Sequence, residues 1–435
     1  MKIAILGAGF SGLSAGYQLA KKGHEVHIFE KAGLPGGAAG GFKLAHWDWY
    51  LDYAYHHSFT SEKNILTLAK EIGYPPFLVR SPITSSLYYS PDKPEKNNNS
   101  MFKYLFGENT KSYKLDSPAD LLKFDRISLT NRIRTGLVLA FLKFGPKLDY
   151  YDKVTAKEFL TLTMGKTAYQ ELWQPLFEKK FRQHQKDINM GFFWARLRRS
   201  SKLTYPVGGY QAFANALAGA VKQVGGQIHY NSEISKLTHN QKTGFSLFSK
   251  KNAVIKSEIL INTLQTPIFL KLEKNVLPSA YRKRLAKIQY LGAQNIIIES
   301  KHKILPKSYW LSLALSPLKN YTYAGLDWMV GVQHTNFIDK KYYHNKNLFY
   351  LATYSNSPKQ FKITDQKIAK DYKIIQQAFI KYAQPLYTKE FTKVKPNYST
   401  PVPNLYFASM ELTYPYDRGT NQAVRCGEMV AKMIK

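Results

Sequence analysis

MKIAILGAGFSGLSAGYQLAKKGHEVHIFE, residues 1 to 30, decides how the rest of the chain is read. Lys2 to Leu6 is a short apolar run of the length of a buried parallel strand. It runs into Gly7-Ala8-Gly9-Phe10-Ser11-Gly12, and Leu13, Ala15, Leu19 and Ala20 continue the pattern as a small-residue helix. Gly23 closes that helix, Val26-His27-Ile28-Phe29 reads as the next strand, and Glu30 stands at its end with Lys31 beside it. Each part has a mechanical reason. Gly7 permits a tight turn, Gly9 lets the backbone approach a pyrophosphate, and Gly12 lets helix and strand pack closely. The helix N-terminus offers free N–H groups and a positive dipole end to phosphates. Glu30, 23 residues after Gly7, suits an acid that accepts from ribose hydroxyls. Strand, glycines, helix, strand and acid in this order predict a dinucleotide site.

A second glycine-rich turn, Pro35-Gly36-Gly37-Ala38-Ala39-Gly40-Gly41, follows directly behind the second strand. Nicotinamide sites do not need one. Placed here, it resembles the second glycine turn of the FAD-dependent superfamily that holds amine oxidases, phytoene desaturases, protoporphyrinogen oxidases and UDP-galactopyranose mutases. Ala38 stands where that family usually carries Arg, Lys or Asn. The far end of the chain carries the resemblance again. Leu405 to Ala408 reads as a buried strand, Ser409-Met410 takes the place of the family's Gly-Asp, and Gly419-Thr420-Asn421 opens a last helix that runs through Ala423 to Ile434.

The resemblance implies FAD as cofactor. It implies that the last helix aims its N–H groups at the flavin's pyrimidine edge and that a backbone group near Ile234 contacts adenine. The usual carboxylate to the ribityl chain is then missing or comes from Glu411 or Asp417. The expected fold is α/β, a Rossmann-type FAD-binding domain with an interleaved α+β substrate-binding domain. Residues 1–76, 201–266 and 395–435 would form the FAD-binding parts, and 77–200 and 267–394 the substrate lobe.

Between these ends, Phe42 to Tyr53 alternates like a hairpin, and Ser61 can cap a helix carrying Ile65, Leu68 and Ile72. Pro91 to Ser100 is a polar surface loop. From Ala119 to Leu148 the periodicity is helical, and helix is expected to continue through about Gln183. Within 119–148 a broad apolar stripe keeps company with Arg126, Arg132, Arg134, Lys143 and Lys147, against Asp120 and Asp125 only. Such a segment either packs inside the substrate lobe or lies as a peripheral contact on an anionic bilayer. Gln211 to Val224 is an Ala-rich helix closed by Gly225-Gly226, and Ile259 to Thr263 is an apolar strand returning to the first sheet.

Composition narrows the function classes. Hydrophobic content of 44% and aromatic content of 14% belong to a packed globular chain. One cysteine, Cys426, excludes an internal disulfide, a Cys-rich metal site and a dithiol redox centre; no metal is expected. The N-terminal strand leaves no room for a signal peptide, so a cytoplasmic home, free or peripheral on the inner face of the membrane, is the expectation. A balance of 62 Lys+Arg against 30 Asp+Glu gives +32. That favours anionic partners or reflects a lysine-biased proteome. No nucleic-acid motif accompanies it, and the expected partner is a small-molecule substrate.

Two groups qualify for the chemistry. His56 and His57 follow the second glycine turn, in a segment that the superfamily places beside the isoalloxazine, and His56 matches the first histidine of a stretch in UDP-galactopyranose mutases. Histidine suits acid–base work near neutrality. Tyr414, Tyr416 and Arg418 precede the last helix and could line the pocket, with Arg418 holding an anionic group or the flavin, or pairing with Asp417 or Glu411. Cys426, inside that helix, is expected to pack and not to tether the flavin. The expectation is an oxidoreductase moving hydride from a C–H bond of an amine, isoprenoid or ring compound to flavin N5. A mutase acting on a nucleotide sugar without net redox is the alternative, and a non-enzymatic flavin-bearing scaffold is a further one.

Overall fold

In the computed structural model the described residues are 1–200, 202–249, 254–314 and 327–435. Among them, five parallel strands form the sheet on which the chain is hung, in the order Gln227–His229, Glu25–Phe29, Lys2–Leu6, Ile259–Asn262 and Leu405–Phe407. Ile5 pairs with Ile28 on one side and Ile261 on the other. Ile3, Ala4, Ile5, Leu260 and Ile261 are fully buried, as a parallel sheet covered on both faces requires. The strands come from widely separated segments: the expected strands at 259 and 405 enter this sheet, and Gln227–His229 joins them at its edge.

Glycine sets how tightly the helices close on it. A Cβ at Gly12 would stand 2.0 Å from the Gly7 carbonyl oxygen, and one at Gly427 would stand 2.3 Å from the Ser11 carbonyl oxygen. The helices Phe10–Lys21 and Thr420–Met433 therefore approach backbone to backbone. The Ser14 hydroxyl donates to the Val424 carbonyl across the same crossing. A three-stranded antiparallel sheet, Ile234–Asn240, Gly244–Ser249 and Val254–Ser257, leads from the Gln227–His229 strand to Ile259–Asn262.

The second large unit is a sheet in the order Tyr372–Pro385, Tyr290–Ser300, Asn347–Ser355, Val330–Gln333, Trp310–Leu313, Thr84–Tyr89 and Thr110–Tyr113. Its two faces follow the two-residue period of a strand. Ile296, Ile298, Phe349 and Leu351 pack beneath it with Phe102 and Phe106. Ala293, Asn295, Ala352 and Tyr354 lie on the opposite face, which turns to a pocket.

Several expectations change here. Ser61 does not cap the helix Lys63–Glu71; Glu62 holds the cap position and Ser61 instead accepts from the Ser200 N–H at 3.3 Å. The polar loop ends at Asn99, which caps a helix Ser100–Phe106. The long helical run breaks into Pro118–Leu122, Leu129–Phe144, Ala156–Met164, Lys166–Leu172 and Gln174–Phe181. Ser128 caps the second, and a Thr155–Glu158 capping box opens the third. Gly165, at φ +95°, separates the third and fourth. The apolar residues of 119–148 divide: Leu121, Phe124, Ile127 and Leu142 are buried in the core, whereas Leu129, Ile133, Leu137, Phe141 and Phe144 are all more than half exposed, Phe144 82%.

Candidate functional site

The two glycine turns meet back to back. Gly7, at φ +99°, donates its N–H to the Phe29 carbonyl at 2.8 Å. Gly9 forms a parallel bridge with Gly36, and the Gly36 N–H donates to the Ala8 carbonyl at 2.9 Å. Gly36 and Gly37 both take positive φ, and a Cβ on Gly37 would lie 3.1 Å from the Gly9 Cα. Above this seam the helix Phe10–Lys21 begins with no side-chain cap and no acidic residue in its first turn. Its first N–H groups are therefore left for an anion from outside the helix.

Glu30 is buried at the end of its strand and bridges the turn. One carboxylate oxygen accepts from the Ala8 N–H at 2.9 Å, the other from the Ala32 N–H at 2.9 Å. Lys31 is exposed. Ile234 is buried at the start of the antiparallel sheet, where a bulge falls between Ile234 and Lys236. The Ser11 hydroxyl donates to the Ala408 carbonyl at 2.6 Å, tying the first turn to the segment after the last strand. Next along, the Ser409 hydroxyl is buried with no partner among the described residues. An orphaned hydroxyl, uncapped helix ends and glycines that leave no room for a Cβ fit a bound dinucleotide. Glycines 7, 9, 12, 36 and 37 would line it, with Ser409 and Glu30 as polar contacts.

The last helix also starts uncapped, at Gly419, with no acidic first turn. Thr420 lies 3.2 Å from the Ser58 hydroxyl, the Asn421 side chain accepts from the Ile65 N–H at 3.0 Å, and Ala423 donates its N–H to the Gly419 carbonyl. Of the two carboxylates expected at the ribityl chain, Asp417 is held by cations described below. Glu411 accepts through Oε1 from the Thr266 N–H at 2.8 Å and from the Tyr290 hydroxyl, whereas its Oε2 is buried without a partner among the described residues.

Ala38, His56, Met410 and Arg418 converge on one pocket of about 500 Å³, open solvent at its mouth included. Ala54 and Tyr55 complete the near side, and Asn295, Thr353 and Tyr354 of the seven-stranded sheet, with Met329 just before one of its strands, form part of the far wall. The Asn295 amide nitrogen is buried without a partner among the described residues. His56 donates its Nδ1–H to the Ala54 carbonyl at 2.6 Å, which leaves Nε2 as the acceptor of a neutral ring. Burial, and then Arg418, lower the His56 pKa to about 4, so the ring is uncharged at neutral pH.

The other expected catalytic residues lie elsewhere. His57 turns to the Tyr309 hydroxyl at 3.1 Å, its pKa lowered to about 3 by burial and by Arg199. Tyr414 is buried against Tyr387 and Phe391, its hydroxyl bound to Asp152 and accepting from the Asn189 amide at 2.9 Å. Tyr416 sits under the Arg425 guanidinium. None of the three lines the pocket. Cys426 is buried against the Tyr398 hydroxyl at 3.6 Å, and burial pushes its thiol up to about 11, so it packs as an inert residue.

Arg418 pairs directly with neither Asp417 nor Glu411. Its guanidinium donates to the Tyr354 hydroxyl at 2.8 Å and to the Gln384 side-chain oxygen at 3.3 Å. Asp417 is instead ringed by Lys180 at 3.1 Å, by Arg196, and by Arg199 at 3.8 Å. Burial alone would raise the Asp417 carboxyl, but Lys180, Arg196, Arg199 and Arg418 outweigh it and hold the group far below the usual carboxylate range. Sequence reasoning missed Lys180, Arg196 and Arg199, and also Asn295 and Tyr354. The strand period groups Ala293 with Asn295, but nothing local says that this face meets His56.

The profile described as "Flavin containing amine oxidoreductase" matches residues 10–434. Among curated proteins, the zeta-carotene desaturase of Solanum lycopersicum is 34% identical over 73 residues, which is 17% of this chain and only 12% of the desaturase. An oxidoreductase from Methanosarcina mazei superposes with a TM-score of 0.73 at 17% identity, covering 99% of this chain and 100% of that one. Cyclohexylamine oxidase from Brevibacterium oxydans superposes with 0.71 at 13% identity, covering 100% and 98%. At such identities the structural likenesses speak for the fold, an α/β flavoprotein fold with a second, sheet-based unit.

Proposed function

The chain belongs to the flavin containing amine oxidoreductases, and we propose that it is an FAD-dependent oxidoreductase that removes hydride from a C–H bond of a small-molecule substrate. The convergence of Ala38, His56, Met410 and Arg418 on one pocket carries this assignment. Two of these residues come from the second glycine turn and the segment behind it, two from the segment before the last helix. Bound FAD supplies the hydride acceptor, at its N5. The chain's own part is to hold, orient and shield. Ala293, Met329, Ala352 and Ile380 keep the far wall apolar, the Asn295 amide and Arg418 offer donors, and neutral His56 offers an acceptor at Nε2. With a pKa near 4, His56 suits hydrogen bonding to substrate better than proton abstraction at pH 7. Residues 1–76, 201–266 and 395–435 then form the FAD-binding parts and the remainder the substrate lobe.

The purified protein is expected to be yellow and to release its flavin on acid precipitation. Oxidised enzyme should turn over its substrate with reduction of the flavin. Activity that appears only after prior reduction of the flavin, with no net redox, would establish the mutase reading instead.

We further propose that the helix Leu129–Phe144 rests on an anionic membrane surface. Leu129, Ile133, Leu137, Phe141 and Phe144 recur every three or four residues and form one exposed face. Arg132 donates to the Leu122 carbonyl at 2.8 Å and Arg134 to the Leu162 carbonyl at 2.7 Å, which brings two more exposed leucines alongside. Exposed Lys123, Arg134 and Lys166 supply positive charge nearby. Among the described residues no helix is long and apolar enough to cross a membrane. Flotation with anionic vesicles at low salt, lost with Leu137→Asp, is the expected result. A protein that never floats, or that dimerises through this face, rejects it.

A further inference from the structure

Beside the pocket the chain gathers more positive charge than its own carboxylates balance. Lys180, Arg196, Arg199 and Arg418 surround Asp417, and Glu62 is the other carboxylate near Arg199. Three guanidiniums and the Lys180 amine thus face two carboxyls; burial raises the pKa of Glu62 and lowers that of Lys180, so both lean toward their neutral forms and the three guanidiniums keep an excess over Asp417. Lys180 is nearly enclosed, its ammonium 4.8 Å from the centre of the Phe192 ring and 5.4 Å from that of Phe181. Burial, and then Arg196, lower its pKa against the pull of Asp417, as expected where like charges are crowded. Arg418, the member of the group that lines the pocket, makes no ion pair with a carboxylate among the described residues; its side-chain partners are the neutral Tyr354 and Gln384.

A partly buried excess of cations is unfavourable unless an anion completes it. The phosphates of FAD do not serve here, because their place is the uncapped start of Phe10–Lys21 at the glycine turns. The pocket itself holds an unmet donor, the buried Asn295 amide. Around Arg418 and Asn295 the lining is otherwise largely aliphatic, from Ala293, Met329, Ala352, Ile380 and Ala383. We infer that the substrate is an apolar compound bearing an oxyanion, carboxylate or phosphate, held by Arg418 and the Asn295 amide with Lys180, Arg196 and Arg199 behind them, and that a protonated amine is repelled. This specificity rests on the pocket being the substrate site beside FAD.

The test uses the FAD-loaded protein and reads ligand binding as a saturable change in flavin absorbance. Octanoate, octyl phosphate, octylamine and octanol have one apolar body and differ at the head. Octanoate or octyl phosphate should bind at least about 10-fold more tightly than octylamine and octanol, the scale of one charge-assisted hydrogen bond. Whichever anion binds better tells carboxylate from phosphate. Arg418→Met should remove most of that preference, and Arg196→Gln, at the exposed rim of the cluster, should reduce it while leaving FAD content intact. Equal binding of amine and anion, or of octanol and octanoate, overturns the inference. So does a preference for anions that both variants leave unchanged. A protein that takes up no FAD defeats the flavin reading before any titration, whereas a yellow protein indifferent to head-group charge defeats this inference alone.

Discussion

The two ends of the site are built on opposite principles. The nucleotide end is almost all backbone: Gly12, Gly36 and Gly37 remove side chains so that main-chain groups can close in, Gly7 takes a positive φ, and Glu30 braces the turn. The substrate end is almost all side chain, with Lys180 and Arg196 from two helices and Arg199 and Arg418 from two connecting segments gathered around Asp417. A backbone site depends on contiguous residues and fails when a single Cβ is added. A side-chain site depends on distant elements meeting, and each member can be trimmed and measured.

The largest effect should come from the backbone end. Gly12→Ala forces a Cβ to 2.0 Å from a carbonyl oxygen, which no side-chain rotation relieves. A loss of about 4 kcal/mol or more, seen as lost FAD and a collapsed thermal transition, is expected. Full FAD occupancy at an unchanged Tm would mean that close packing of the helix on the Gly7 turn is not what Gly12 provides. At the other end, His56→Ala should lower turnover by roughly 10²-fold, about 2.7 kcal/mol, the low end for acid–base or hydrogen-bonding groups. FAD content should stay near one per chain, and flavin loss in proportion would make His56 a structural residue.

Glu30→Ala removes a carboxylate that braces Ala8 and Ala32 and faces the nucleotide end. FAD affinity should fall by about 1.5–3 kcal/mol, measured by flavin fluorescence on titration; unchanged affinity removes Glu30 from the ribose site. Acid should then separate folded from unfolded chain through buried histidine. His334 is 2% exposed beside Tyr343, and burial lowers its pKa to about 3. Above pH 6.5 neither state is protonated and nothing is lost. As the pH falls below 6.5 the unfolded chain takes the proton first, so stability drops by about 2 kcal/mol at pH 5. His56 and His57 act with the same sign. Tm should fall between pH 7 and 5, and His334→Gln should flatten the slope; a Tm independent of pH in that range contradicts the neutral buried ring. The smallest effect is a control on the glycines. Gly219 lies inside the helix Tyr210–Gln223 with open space at its Cβ, so Gly219→Ala should stabilise by about 0.5–1 kcal/mol and leave FAD untouched. Any loss there would blur the distinction drawn at Gly12.

The local signals were readable where they were short and regular. The strands at Lys2, Glu25, Ile259 and Leu405 and the helices after Gly9 and Gly419 appear where apolar period and glycine placed them. The helical lobe was over-joined, because apolar periodicity carries on across Ser128, Thr155 and Gly165 while capping breaks the helix. Those caps were visible as residues, a Thr three before a Glu and an isolated glycine, but periodicity outweighed them. Tyr414 and Tyr416 stand beside Arg418 in sequence, yet only Arg418 reaches the pocket.

Residues 1 to 41 and 405 to 421 were enough to specify a dinucleotide fold and a flavin-type cofactor. That recognition is written in contiguous glycines and helix ends, whose geometry is local. The chain alone did not say that Asn295 and Tyr354 face His56, that Asp417 is surrounded by Lys180, Arg196 and Arg199, or that the stripe on Leu129–Phe144 stays outside. Those facts depend on which strand lies beside which and which helix face finds a partner. Packing between segments distant in the chain decides them, because a side chain's burial and charge environment belong to its neighbours in space.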